Sequence, residues 1–222
     1  RHLPQALMRR PDRQPPRRSK AGAQPDTPAQ AFHRHRQQQG QRAHILGMLL
    51  IPFNADHTIP LRRAPDVQQA CLEAYGPATE PYVTSLRELL GLIGAHEWRK
   101  KGVDIPALKG RIHAHYGVFS PLRGEYIDLV AQAPLPPQTD LAFDIGTGSG
   151  VLAAVLAQRG VARVIGTDQS DRALACAHDN LTRLKLIRQV ELQKVDLFPA
   201  GQAPLVVCNP PWVPARPSSP IE

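Results

Sequence analysis

The sequence predicts an α/β fold on a parallel sheet, preceded by a small, mostly helical region and a basic tail. Three observations predict it. Short apolar runs of strand length recur in the second half: Leu141–Ile145 with Asp144 as its one charge, a run ending at Asp168, and a run ending at Asp196. The first run leads into a turn with glycines at alternate positions, Gly146, Gly148 and Gly150, and then into Val-Leu-Ala-Ala-Val-Leu-Ala, which has strong helix propensity. Strand and helix patterns keep alternating as far as Cys208, as expected of parallel strands joined by right-handed crossovers.

Taken in order, residues 1–40 read as a disordered tail. Prolines 4, 11, 15, 16, 25 and 28 break helices, and apolar periodicity is missing. The tail holds nine Lys/Arg and two Asp, a net of +7 out of the chain's +8. A solvated tail is the favoured reading, and contact with nucleic acid is the alternative its charge allows. Residues 41–116 form the mostly helical region. The apolar run from His44 to Phe53 fits a strand or a short helix. A helix is expected over Asp66–Tyr75, stopped by Gly76-Pro77. Another is expected over Thr84–Lys100, with Leu86, Leu89, Leu90, Ile93 and Trp98 sharing a face and basic residues at its end. A third is expected over Ile105–His115. His113 and His115, two apart on such a helix, point to different faces and suggest no metal site.

Residues 117–222 are the α/β domain. Gly117–Tyr126 bridges the two parts, and Tyr126, Leu129, Val130 and Ala133 have helix spacing up to Pro134, Pro136 and Pro137. Strands are expected at about 141–145, 163–167, 189–195 and 205–208, and helices at about 150–159 and from Asp171, the latter capped by Ser170. Ala173, Leu174, Ala177, Leu181 and Leu184 make that helix's buried face. The glycines let a ligand approach bare backbone beside a helix N-terminus. Their spacing, G-x-G-x-G, differs from the dinucleotide fingerprint G-x-G-x-x-G, because Gly150 falls one residue early. Asp168 lies 24 residues after Asp144, about where a ribose-binding acid belongs. The last strand runs into Asn209-Pro210-Pro211-Trp212. All these residues sit at the carboxyl ends of strands, where open α/β sheets bind ligands.

In combination, the glycine loop, the strand-end acids and Asn-Pro-Pro-Trp resemble the class I S-adenosylmethionine-dependent methyltransferases, over roughly Phe119 to Pro214. The resemblance implies a Rossmann-like sheet of seven strands. Only four are accounted for, so the chain is read as a fragment whose sheet is truncated at its C-terminal side. It implies that Asp168 accepts both ribose hydroxyls and Asp196 the adenine amino group, with Leu197 or Phe198 against the ring. Gly146 and Gly148 would let the backbone pass the cofactor. Asp144 would orient the loop or meet the methionine ammonium. Phe119, Ser120, Pro121 and Arg123 match loosely a Pro/Arg/Glu segment that covers the cofactor; an interdomain turn is the equal alternative.

Asn209 and Pro210 would supply two acceptors that hold a planar nitrogen toward the methyl group, with Pro211 stiffening the turn and Trp212 stacking on the acceptor. The implied function is N-methylation. Release-factor glutamine methyltransferases, which also carry a helical N-terminal domain, are slightly favoured by the domain order and Asn-Pro-Pro. Their acceptor is protein glutamine, which would make a translation factor the partner. Trp212, where tyrosine is usual, departs from that pattern. The alternatives are an RNA or DNA base amine as acceptor, a non-catalytic cofactor-binding relative, and a nicotinamide dehydrogenase. The last would leave Asn-Pro-Pro-Trp without a role. S-adenosylmethionine is the expected cofactor, with no metal. Cys71, Cys176 and Cys208 are scattered and odd in number, which suits a reducing, cytoplasmic setting. No run of about 18 apolar residues suggests a membrane span.

Overall fold

A computed structural model describes residues 27–210. The tail before Thr27, and Pro211 and Trp212, lie outside the described residues.

The described residues open with helix α1, Pro28–Met48. Disorder was expected as far as residue 40, so residues 28–40 correct that reading. The cause is local. Thr27 and Gln30 form a capping box: the Thr27 hydroxyl accepts from Gln30 N (3.3 Å), and Thr27 N donates to Gln30 Oε1 (3.0 Å). Pro28 occupies the first helical position, where a missing N–H costs nothing, so it starts the helix instead of breaking it. Thr27 to Gln41 is exposed throughout, and Leu46 is the helix's buried anchor.

The ambiguous run at 44–53 is both things in turn: the end of α1, then strand β1, Leu50–Phe53. β1 pairs antiparallel with β2, Tyr82–Ser85. Between them lies α2, Gln68–Tyr75. Helix α3, Leu86–Lys101, is capped by the Ser85 hydroxyl. It buries Leu86, Leu89 and Leu92, with Leu90 and Ile93 half-buried beside them. Trp98, expected on that face, is 46% exposed, with Lys101 Nζ 5.5 Å from its ring centroid. These elements close a core around Phe53, Val67, Cys71, Leu89 and Leu92.

The expected helix over 105–115 is a hairpin. Strand β3 (Val103–Ile105), a 3-10 turn (Pro106–Leu108) and strand β4 (Gly110–Ile112) replace it. Lys109 adopts φ +49°, which a helix interior forbids. Ile105, Leu108 and Ile112 pack into the core of the α/β sheet. Helix α4, Glu125–Gln132, also packs there, burying Ile127, while Leu129 is 71% exposed.

The sheet has four parallel strands: β5 (Leu141–Ile145), β6 (Arg163–Asp168), β7 (Val190–Lys194) and β8 (Leu205–Cys208). Their order is β7-β6-β5-β8, a Rossmann-like arrangement in which the first strand is central. Helix α5, Val151–Gln158, is apolar on all sides and buried from Val151 through Ala157. Helix α6, Asp171–Arg183, buries Ala173, Cys176, Ala177, Asn180 and Leu181 against the same sheet face. Phe143, Ile145 and Ile165 are buried on the opposite face. The parallel register brings the carboxyl ends of β5, β6 and β8 level, which positions the site.

Candidate cofactor and substrate site

The site grows out of the β5 end. Gly146, Gly148 and Gly150 have φ of +68°, +54° and +80°, the left-handed region that side chains with a Cβ rarely adopt. Gly150 faces a further constraint: a Cβ there would lie 3.1 Å from Ala177 Cα on α6. Gly146 is different, because a Cβ there would meet open space. Its bare backbone therefore borders room for a ligand.

Asp144 is 1% exposed, and burial lifts its carboxyl to about 6. Its Oδ2 accepts from the Thr147 hydroxyl (2.7 Å) and from Ala153 N in the first turn of α5 (3.0 Å). Asp144 fixes the loop onto the helix.

Asp168, ending β6, closes the opposite side. Its Oδ2 accepts from Gly148 N (3.0 Å) and its Oδ1 from Ser170 N (3.0 Å). Each carboxylate oxygen has a second lone pair, so two acceptor positions stay open for a diol. Thr147 N donates to Thr167 O (2.7 Å), tying the glycine loop to the same strand end.

Asp196, Leu197 and Phe198 follow β7. The Gln169 amide donates to Asp196 Oδ1. Thr167, fully buried, donates its hydroxyl to Leu197 O at 2.7 Å. Leu197 and Phe198 are 58% and 62% exposed, an apolar pair beside a carboxylate. Asp168 and Asp196 are thus brought to one end of the sheet, linked through the residues on either side of Asp168. Thr147, Thr167 and Gln169 are not singled out by the sequence, since adjacency to the loop and to Asp168 is no pattern by itself.

Cys208 pairs with Ile145, so Asn209 leaves β8 level with Gly146 leaving β5. Asn209 is half-buried and Pro210 exposed. Phe119 and Arg123 are exposed on the segment before α4, and the Phe119 ring lies 6.4 Å from Tyr126. Burial, then the charge of Asp144, pushes the Tyr126 hydroxyl up to about 12. Ser120 Oγ in that segment is buried without a hydrogen-bond partner among the described residues. The open space at Gly146 and the free lone pairs of Asp168 fit a nucleoside cofactor.

His113 and His115 play no part in the site. His113 Nδ1 meets Arg99 O (2.6 Å) and His115 Nε2 meets Asp179 (3.1 Å). A separate groove of about 420 Å³, between Tyr75, Tyr82 and Thr84, shares no residue with the strand-end site. His57 in its wall is satisfied on both nitrogens, by the Tyr82 hydroxyl and Gly76 O.

The release factor glutamine methyltransferase of Mycobacterium tuberculosis (strain ATCC 25618 / H37Rv) is 40% identical over 113 residues, covering 46% of this chain and 37% of that protein. The tRNA1(Val) (adenine(37)-N6)-methyltransferase of Serratia proteamaculans (strain 568) is 40% identical over 91 residues, covering 38% of this chain and 35% of that protein. The chain thus spans little more than a third of these relatives. Among solved structures, the ribosomal protein L11 methylase of Lactobacillus delbrueckii subsp. bulgaricus is 29% identical, covering 39% of this chain and 45% of that one, with a TM-score of 0.32. The family described as Methyltransferase small domain matches residues 109–219, half of the chain and every strand-end residue described above. The chain belongs to the methyltransferase small domain family.

Proposed function

We propose that the protein is an S-adenosylmethionine-dependent N-methyltransferase whose acceptor is a planar amide nitrogen, that of a protein glutamine. One observation supports the reading: in the β5–β8 register Cys208 pairs with Ile145, so Asn209 follows β8 where Gly146 follows β5. When bound, the cofactor supplies an electrophilic methyl group on a sulfonium. Asp168 accepts the ribose hydroxyls, Asp196 accepts the adenine amino group, and Asp144 holds the loop. Asn209 Oδ1 and the Pro210 carbonyl accept both N–H bonds of the acceptor and aim its nitrogen in line. For Trp212, which lies outside the described residues, the resemblance implies stacking on the acceptor plane. The nitrogen becomes acidic once methylated, so the site needs no strong base.

The test is single-turnover methyl transfer alongside cofactor titration in full-length protein. Asn209→Ala should lower the rate roughly 30- to 1,000-fold, by the 2–4 kcal/mol that one positioned polar group is worth, and leave cofactor affinity within about 3-fold. A wild-type rate in that variant would reduce Asn-Pro-Pro-Trp to a turn.

One observation favours a second acceptor, a base amine in RNA or DNA. Helix α1 carries Arg34, Arg36 and Arg42, lacks any acid, and is exposed from its start to Gln41. That surface is complementary to phosphate. If it docks nucleic acid, Arg36→Gln with Arg42→Gln should reduce the slope of log affinity against log salt by roughly 1.5. Labelled-methyl transfer assayed on protein digests and on nucleosides decides between the acceptors. A cytoplasmic setting is part of the proposal and is supported by free cysteines at 71, 176 and 208.

A further inference from the structure

The loop after β7 is held in an unfavourable shape. Leu197 has φ +61°, the left-handed region that a residue with a Cβ rarely adopts. Such a conformation persists only where neighbours impose it. Two neighbours do, and both flank Asp168. Thr167, with no exposed surface, donates its hydroxyl to Leu197 O at 2.7 Å. Gln169, itself exposed, donates its amide to Asp196 Oδ1. Thr167 also accepts from Thr147 N through its own carbonyl at 2.7 Å. One residue therefore spaces the glycine loop from the Asp196–Phe198 loop.

The shape so imposed has chemical content. With Oδ1 of Asp196 engaged by Gln169, the carboxylate cannot rotate freely, and Oδ2 is left as a fixed acceptor. Beside it stand the exposed side chains of Leu197 and Phe198. A fixed acceptor next to an apolar pair suits a flat heterocycle that presents an amino group. It repels one that presents a carbonyl oxygen at the same edge.

We infer that Thr167 and Gln169 are positioning residues that make the cofactor site discriminate a 6-amino purine from a 6-oxo purine. The inference rests on the cofactor reading above. It adds that discrimination resides in the two residues flanking the ribose acid, acting through Asp196 and Leu197.

The experiment is calorimetric binding of S-adenosylhomocysteine and S-inosylhomocysteine to full-length protein. Wild type should prefer the adenosine compound on the order of 10- to 100-fold. Gln169→Ala and Thr167→Val should bring the two affinities to within about 3-fold of each other. Thr167→Ser, which keeps the hydroxyl, should restore the preference. Asp168→Ala, by contrast, should weaken both compounds equally and keep their ratio. Should Thr167→Val fail to fold, the exposed Gln169→Ala carries the comparison. A wild-type ratio in Gln169→Ala overturns the inference and leaves the cofactor reading standing. If the wild type binds neither compound, the cofactor reading falls, and the inference falls with it.

Discussion

Asp144 keeps a carboxylate in the core at neutral pH, with its hydrogen bonds to Thr147 and Ala153 partly offsetting the lost hydration. Burial raises its folded-state value to about 6, above the ordinary aspartate range. The folded state therefore holds that proton more tightly than the unfolded chain. The resulting stability is present at about pH 4 and is lost as pH rises through about 6. His115, lowered by burial and then by Arg99, works in the opposite sense, losing stability as pH falls below the usual histidine range. Asp144→Asn keeps an oxygen for both donors and removes the charge. Urea denaturation between pH 4 and 7.5 should find its advantage over wild type growing up to about pH 6 and then levelling, with a span on the order of 2–3 kcal/mol. A flat difference would mean that the carboxyl is not perturbed. For Asp168→Ala, which removes two hydrogen bonds to a charged acceptor, affinity for S-adenosylmethionine should fall about 100-fold or more by calorimetry. Both acids were legible in the sequence because a charge inside or ending an apolar run stands out. Thr167 and Gln169 were not, because a threonine and a glutamine beside an acid carry no pattern until the β7 loop arrives over them.

Among the elements, α6 does two jobs. Its Asn180, with no exposed surface, accepts from His113 N (2.8 Å) and donates to Ser149 O (3.0 Å), joining the segment after β4 to the glycine loop. Asn180→Ala would orphan both groups in a dry site, and chemical denaturation should find a loss of about 2–4 kcal/mol. Gly150→Ala should cost about 1–3 kcal/mol, since it combines φ +80° with a 3.1 Å approach to the α6 backbone. The strands and helices of the sheet were legible to within a residue or two, because apolar run length and the Ser170 cap mark them. The β3–β4 hairpin was not. Ile105, Leu108 and Ile112 are spaced three and four apart, as on a helix, and a 3-10 turn inside a hairpin puts the same spacing on one side. Periodicity alone cannot separate the two. Helix α1 was missed for another reason: Pro28 was counted as a breaker where its position after Thr27 makes it a starter.

Across the whole molecule, one face of α6 fastens the elements before β3 to the sheet. Arg172 donates to Tyr116 O (3.1 Å) and to Ala74 O (2.7 Å), the second across 98 residues of chain. Asp179 meets His115 at 3.1 Å and Arg99 at 3.8 Å. Arg172→Met keeps most of the apolar stem but deserts both carbonyls. Residues 68–85 should then exchange amide hydrogen and admit protease ahead of the sheet, measured by hydrogen exchange and limited digestion. Coincident loss of both regions would show that other contacts fasten them. None of this joint was legible in the sequence. Arg172 and Asp179 read there as ordinary charges on an amphipathic helix, and only the placement of Ala74 and Tyr116 gives them partners.

The Gly148 amide points at Asp168 Oδ2 across 3.0 Å. Donation to a charged oxygen is a strong hydrogen bond and deshields the proton. Hydroxyls arriving at Asp168 would share that oxygen's lone pairs and draw density away from the amide. A single backbone resonance should therefore move upfield as the nucleoside end of the site fills, and stay still when only the Asn209 end is occupied. On the proposed assignment of Asp168 to the ribose, Gly148 would be a built-in spectroscopic reporter, timing the arrival of the methyl donor separately from that of its acceptor.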